Sequence, residues 1–207
     1  GGFDHNIQTI RTVIFLENRY YDFKGLNLTI ETLDGLLKHN GPIRNKKKYD
    51  KILGKDYFRK KILFSTSPSL EAQIASISDD IAYNSHDLED GLKSNLFKLE
   101  DLQHIPILKH IVIKHQKKLK SFSIDLVIRQ IIRDIINEMV KDIINTTKKN
   151  IKKYNLYKFQ DILNANHPIV AFSKNMKKFD KNIKKFLRKK MYYHKSVKKN
   201  TLEGKEI

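Results

Sequence analysis

Between residues 124 and 144, Ile124, Val127, Ile128, Ile131, Ile132, Ile135, Ile136, Met139, Val140, Ile143 and Ile144 recur at steps of three and four. Such spacing predicts one long amphipathic helix with a broad apolar stripe. The β-branched content would suit a strand, but no alternation of period two is present. A stripe this wide belongs first to a core and second to a partner contact, and it sets the expectation of an all-α chain.

The rest of the sequence reads as helix nearly throughout. Residues 5 to 19 carry Ile7, Ile10, Val13, Ile14 and Leu16 in helical register, with Asp4 available as a cap. Residues 30 to 39 follow Thr29 and meet Asn40-Gly41-Pro42, a stop in which Asn or Gly takes the left-handed turn and Pro prevents continuation. Residues 44 to 64 are lysine-rich, without a clear period, and predict a loop or insertion. Ser67-Pro68 predicts a helix start with Ser as cap, and Gly91 its end or a kink. Short helices are predicted near 158 to 164, 168 to 180 and 182 to 193, with residues 195 to 207 a polar, disordered tail. One helical domain over residues 1 to 194 is the expectation.

Composition excludes several classes. A chain of 207 residues with 40% apolar content can bury one sizeable core. No run approaches a membrane span, the N-terminus lacks a signal-peptide layout, and the absence of Cys removes disulfides and thiolate metal sites. A soluble cytoplasmic protein is expected, with no membrane partner. The net charge of +18 is uneven, since residues 1 to 100 hold 15 Lys+Arg against 14 Asp+Glu and residues 101 to 207 hold 26 against 9. A basic half favours phosphate-rich partners. Only seven cations are Arg, however, and base reading and bidentate phosphate clamps favour Arg over Lys.

The chemistry concentrates in SLEAQIASISDDIAYNSHDLEDGLKSNLF, residues 69 to 97, where Asp79, Tyr83 and Asp87 stand four apart. Helix neighbours at that spacing lie about 5 to 6 Å apart, and the outer pair about 12 Å along the axis, roughly one nucleoside. The row suits a pocket in which Asp79 binds a metal, Tyr83 packs on a flat or sugar-like group, and Asp87 accepts a hydrogen bond from a hydroxyl. The same spacing also suits a solvated face, and periodicity alone does not separate the two.

Three blocks, GGFDHNIQTIRTV, FKGLNLTIETLDGLLKHNGPI and residues 69 to 97, resemble in order the deoxyguanosinetriphosphate triphosphohydrolase-like family of the HD-domain phosphohydrolases. The later segments HPIVAFSKNM and FLRKKMYYHKSV resemble that family's helical tail. The resemblance implies an all-α, HD-domain-like fold and metal-dependent hydrolysis of dGTP or another dNTP to deoxynucleoside and tripolyphosphate. It also implies a homo-oligomer, or association with an upstream HD-bearing segment. Members carry a metal-binding His and an adjacent His-Asp pair before the first of these blocks. Here the only such dipeptide, His86-Asp87, falls inside the third block and is not that motif. The expectation is therefore a downstream fragment without full activity alone.

By resemblance, Asp79 completes a His, His-Asp, Asp site for a Mn, Mg, Fe or Zn type ion. Tyr83 and Asp87 line the deoxynucleoside pocket, ring to sugar and acid to the 3′-hydroxyl. His5 matches a histidine near the scissile phosphate, able to donate a proton or stabilise charge. Lys38, and behind it His39, match a position reaching the triphosphate, although a cation at a helix C-terminus is also favourable on its own. Arg188 and Tyr192 close the pocket from another helix. The histidines at 104, 110, 115, 167 and 194 lack metal-ligand spacing. Alternatives are an inactive remnant, a subunit of a split enzyme, or a single-stranded nucleic-acid binder in which Lys clusters interleave with Tyr154, Tyr157, Phe159, Phe186, Tyr192 and Tyr193.

Overall fold

The computed structural model describes residues 5–45, 47, 49, 62 and 64–194, and among them all regular structure is helical. The expected all-α class holds. Most of the 44 to 64 segment and all of 195 to 207 lie outside the described residues. The chain divides into two compact units, Gly1–Ile77 with Lys149–Val170, and Ser78–Lys148 with Ala171–Ile207.

The first unit begins with α1, His5–Arg11, which continues as a π turn over Thr12–Leu16. The helix predicted to reach residue 19 ends at Leu16, because the chain folds back on it: Leu26 N donates to Val13 O at 2.8 Å and Gly25 N to Glu17 O at 3.1 Å. Gly25 is required there, with φ +70° and the place of a Cβ only 2.2 Å from Ile14 O. Helix α2, Ile30–Leu37, starts as predicted with the Thr29 side chain accepting from Thr32 N, and ends before Gly41 at φ +97°. Ile10 of α1 packs with Leu33, Leu37, Ile43, Tyr49, Ile62 and Phe64 into one buried cluster.

Helix α3, Leu70–Lys93, and the long α6, Ile124–Lys153, contribute residues to both units. The predicted cap of α3 was Ser67. The structure moves this role to Ser69, whose Oγ accepts from Ala72 N at 3.2 Å, because the Ser67 hydroxyl donates to Ala165 O at 2.6 Å. Also in the first unit, α7, Phe159–Leu163, is a single short turn. Buried Gln73 donates to Pro68 O at 2.9 Å and accepts from Ile169 N at 2.8 Å and Val170 N at 3.0 Å. That one amide satisfies three backbone groups which would otherwise be buried without partners.

In the second unit, α3 does not end at Gly91. The glycine is there for space, since a Cβ would lie 2.2 Å from the Phe97 ring. That ring meets Phe186 edge to face at 4.9 Å between centroids. Two helices the sequence did not delimit follow, α4, Leu99–Leu102, and α5, Pro106–Gln116. The stripe on α6 splits as its width allows: Val127, Ile128, Ile131, Ile132, Ile135, Met139 and Ile143 are buried, while Ile124, Ile136, Val140 and Ile144 stay exposed. The helices predicted over 168 to 180 and 182 to 193 are instead one, α8, Lys174–Leu187, running into a π turn, Arg188–Tyr192. It starts at Lys174 because Ser173 caps it, its side chain accepting from Met176 N, while Asp142 accepts from both the Ser173 amide and hydroxyl.

Candidate functional site

Helix α3 carries Asp79, Tyr83 and Asp87 in the second unit, with Asp79 and Tyr83 exposed and Asp87 half-buried. Tyr83 is 70% exposed, so its ring is accessible from solvent. The row stays off the core because Ile81, Asn84, Ser85 and Leu88 are the buried positions of this stretch. Asp79 does have interactions within the protein.

The second wall comes from α8 and its π turn. The Tyr192 hydroxyl donates to Asp87 Oδ2 across 105 residues of sequence. Burial, then the hydrogen bond to Asp87 and its charge, push the Tyr192 phenol up to about 12, with Tyr83 adding to the effect and Arg188 opposing it. Four of the residues singled out in the sequence, Tyr83, Asp87, Arg188 and Tyr192, thus share one neighbourhood.

A polar network stands beside them that sequence reasoning missed. Asp180 accepts from the Asn84 amide at 2.7 Å on Oδ1, and its Oδ2 pairs with Lys184 Nζ at 3.1 Å. The same ammonium donates to Asp80 Oδ1 at 2.9 Å. Asp80 and Asn84 are the sequence neighbours of Asp79 and Tyr83, so two site residues are each flanked by a residue tied to α8. One signal could have revealed it: Asp180 is the sole acid in an otherwise Lys-rich helix.

In the first unit His5 lies exposed in the first turn of α1. Lys38 is buried to 1% exposure, its ammonium paired with Asp34 at 2.7 Å and donating to Thr66 Oγ1 at 2.7 Å. That geometry spends the cation on the protein. Its neighbour His39 instead lines a mostly apolar cleft of about 510 Å³ with Thr32, Gly35, Leu36, Ala72 and Phe159.

Among the other histidines, His115 is paired with Asp134 at 2.9 Å and the His167 ring lies tilted against that of Tyr154, 4.0 Å between centroids. Of the aromatic rings suited to base stacking, Phe186, Tyr154 and Tyr192 have such protein partners, whereas Tyr157 and Phe159 are 81% and 57% exposed.

Among the described residues no three His, Cys, Asp or Glu side chains group closely enough to hold a metal ion. Asp79 offers one carboxylate, so the described residues do not by themselves fit a divalent ion. Likewise, among them no helix is long and apolar enough to cross a membrane.

The class defined so far is an all-helical protein in which an acid and aromatic cluster joins two helices. No family model matches the chain. Curated relatives do, three of them under one description. The chain is 49% identical over its full length to the deoxyguanosinetriphosphate triphosphohydrolase-like protein of Pelagibacter ubique (strain HTCC1062), covering 56% of that protein. It is 38% identical to the protein of the same name from Caulobacter sp. (strain K31), over all of the chain and 53% of the relative. Identity is again 38% to that of Neorickettsia sennetsu, over 99% of the chain and 52% of the relative. The chain is homologous along its entire length to the deoxyguanosinetriphosphate triphosphohydrolase-like family, and spans about half the length of the curated relatives it matches.

Proposed function

We propose that this chain is the downstream part of a triphosphohydrolase that cleaves dGTP or a related dNTP between the 5′ oxygen and the α-phosphorus, releasing deoxynucleoside and tripolyphosphate. The observation carrying this reading is the cluster of Tyr83, Asp87, Arg188 and Tyr192, an open ring and a carboxylate faced by a cation and a phenol. Tyr83 packs on the sugar, Asp87 accepts the 3′-hydroxyl, and Arg188 and Tyr192 close the opposite side. A ring against the sugar discriminates modestly against an added 2′-hydroxyl by shape alone.

Asp79 is one ligand of a Mn, Mg, Fe or Zn type ion whose other ligands come from an upstream HD-bearing segment. His5 acts near the scissile phosphate. Lys38 supports the triphosphate end indirectly, because its ammonium is already held by Asp34 and Thr66. Exposed Ile136, Val140 and Ile144 on α6 give a homo-oligomer or that segment an apolar face to cover. Weaker support exists for single-stranded nucleic acid, from exposed Tyr157 and Phe159 beside Lys152, Lys153 and Lys158.

The test is a chromatographic assay with dGTP and Mn²⁺, with and without a polypeptide supplying the His and His-Asp motifs. Deoxyguanosine and tripolyphosphate only with the added segment, and their loss in Asp79→Ala, is the expected result. Turnover that survives Asp79→Ala would remove Asp79 from the ligand set. Product under neither condition would favour an inactive remnant or a binding module.

A further inference from the structure

Asp87 is already paired within the chain. Its Oδ2 takes the phenol hydroxyl of Tyr192, so the acceptor that the nucleoside reading reserves for a sugar hydroxyl is held by a hydroxyl of the protein itself. A carboxylate has about four acceptor sites on its two oxygens, so one phenol does not saturate it. What counts is position: an incoming hydroxyl donating to the same oxygen along the same direction needs the space the phenol oxygen fills. Tyr83 and Arg188 both act on that phenol, so it stands in the pocket neighbourhood rather than beside it.

The element bearing Tyr192 is held by little burial. The turn Arg188–Tyr192 buries none of its residues, and its π geometry departs from the α8 helix that precedes it. Single π turns are rare in helices and recur at functional sites, and a segment with little burial opens at low cost. Asp87, by contrast, sits mid-helix between buried Ser85 and Leu88, so the acceptor is fixed and the donor is the movable partner.

The geometry points to Tyr192 as a displaceable latch on Asp87: its hydroxyl holds the place of a ligand hydroxyl and leaves when a hydroxyl-bearing nucleoside binds. This rests on the nucleoside-pocket reading above and adds a selection rule. A ligand hydroxyl exchanges one donor for another, while a ligand without it offers Asp87 nothing in place of the phenol.

The test measures binding of 2′-deoxyguanosine to the full chain by calorimetry, in wild type, Tyr192→Phe and Asp87→Ala, with thermal melts to verify folding. Removing the latch hydroxyl is expected to tighten binding by about tenfold, the scale of one charge-assisted hydrogen bond released from competition. Tyrosine labelled at Cζ supplies a readout at neutral pH. The resonance missing from Tyr192→Phe is expected to shift on ligand addition, as the phenol leaves Asp87.

Weaker or unchanged binding by Tyr192→Phe, with binding lost in Asp87→Ala, would overturn the latch and leave the pocket reading in place. Binding that persists in Asp87→Ala, or is absent from every chain, would overturn the pocket reading and the latch with it.

Discussion

The two charged sites of this chain differ in how far apart in sequence their partners stand. In the first unit the Lys38 ammonium pairs with Asp34, one helical turn back, and is buried almost completely. In the second unit Asp87 pairs with Tyr192, 105 residues on, while Tyr83 stays open to solvent. A local, buried pair has its partner supplied by the helix and has little left to offer a ligand. A long-range, half-open pair depends on two helices meeting and keeps an accessible face. Side by side, the first pair is turned inward on the protein and the second leaves an accessible face.

The largest effect should come from breaking the buried pair. Lys38→Met is expected to cost roughly 2 to 3 kcal/mol by urea unfolding, below the 3 to 5 typical of a fully buried pair because the Asp34 carboxylate keeps some water. Loss of phosphate-end binding without loss of stability would instead give Lys38 a direct role and erase the contrast.

Next is Gly91→Ala, where the added methyl meets the Phe97 ring in the second unit. Exposed helix positions gain from this change, but overpacking here should destabilise by about 1 to 3 kcal/mol. A raised melting temperature would mean that the ring yields.

Asn84→Ala removes the buried amide bonded to Asp180 and should cost about 1 to 2 kcal/mol. Lys184→Met, whose ammonium is about two-fifths exposed, should cost under about 1 kcal/mol. Reversal of that order would mean that the ion pair, not the amide, joins the α3 and α8 side chains of the network.

The smallest effect is a pH dependence away from both sites. The hydrogen bond from Lys114, then that from His115, hold the Asp134 carboxyl below its ordinary 3.8, against an opposing desolvation. A depressed folded value means that its contribution is present above 3.8 and lost as pH falls through the lower folded value. Asp134→Asn should therefore flatten the acid limb of the urea midpoint by a small margin. An unchanged limb would show that this pair contributes nothing measurable.

Much of the fold was legible because its signals are local. The Thr29 cap, the Asn40-Gly41 stop and the α6 stripe each depend on residues within a turn or two of one another. The row Asp79, Tyr83, Asp87 was legible for the same reason, since helical spacing alone puts these side chains on one face. What the sequence by itself determined is the all-α class, the helices α2, α3 and α6, and this face.

The tertiary structure decided the rest. Ser67 reads as the cap until Ala165 O, far along the chain, accepts its hydroxyl and leaves the role to Ser69. Gly91 reads as a stop until Phe97 claims the space a Cβ would fill. Asp80 and Asn84 gain their partners only when α8 brings Lys184 and Asp180 to them. Periodicity tells which face a side chain occupies, whereas its partner is fixed only when packing brings a distant helix within hydrogen-bond range.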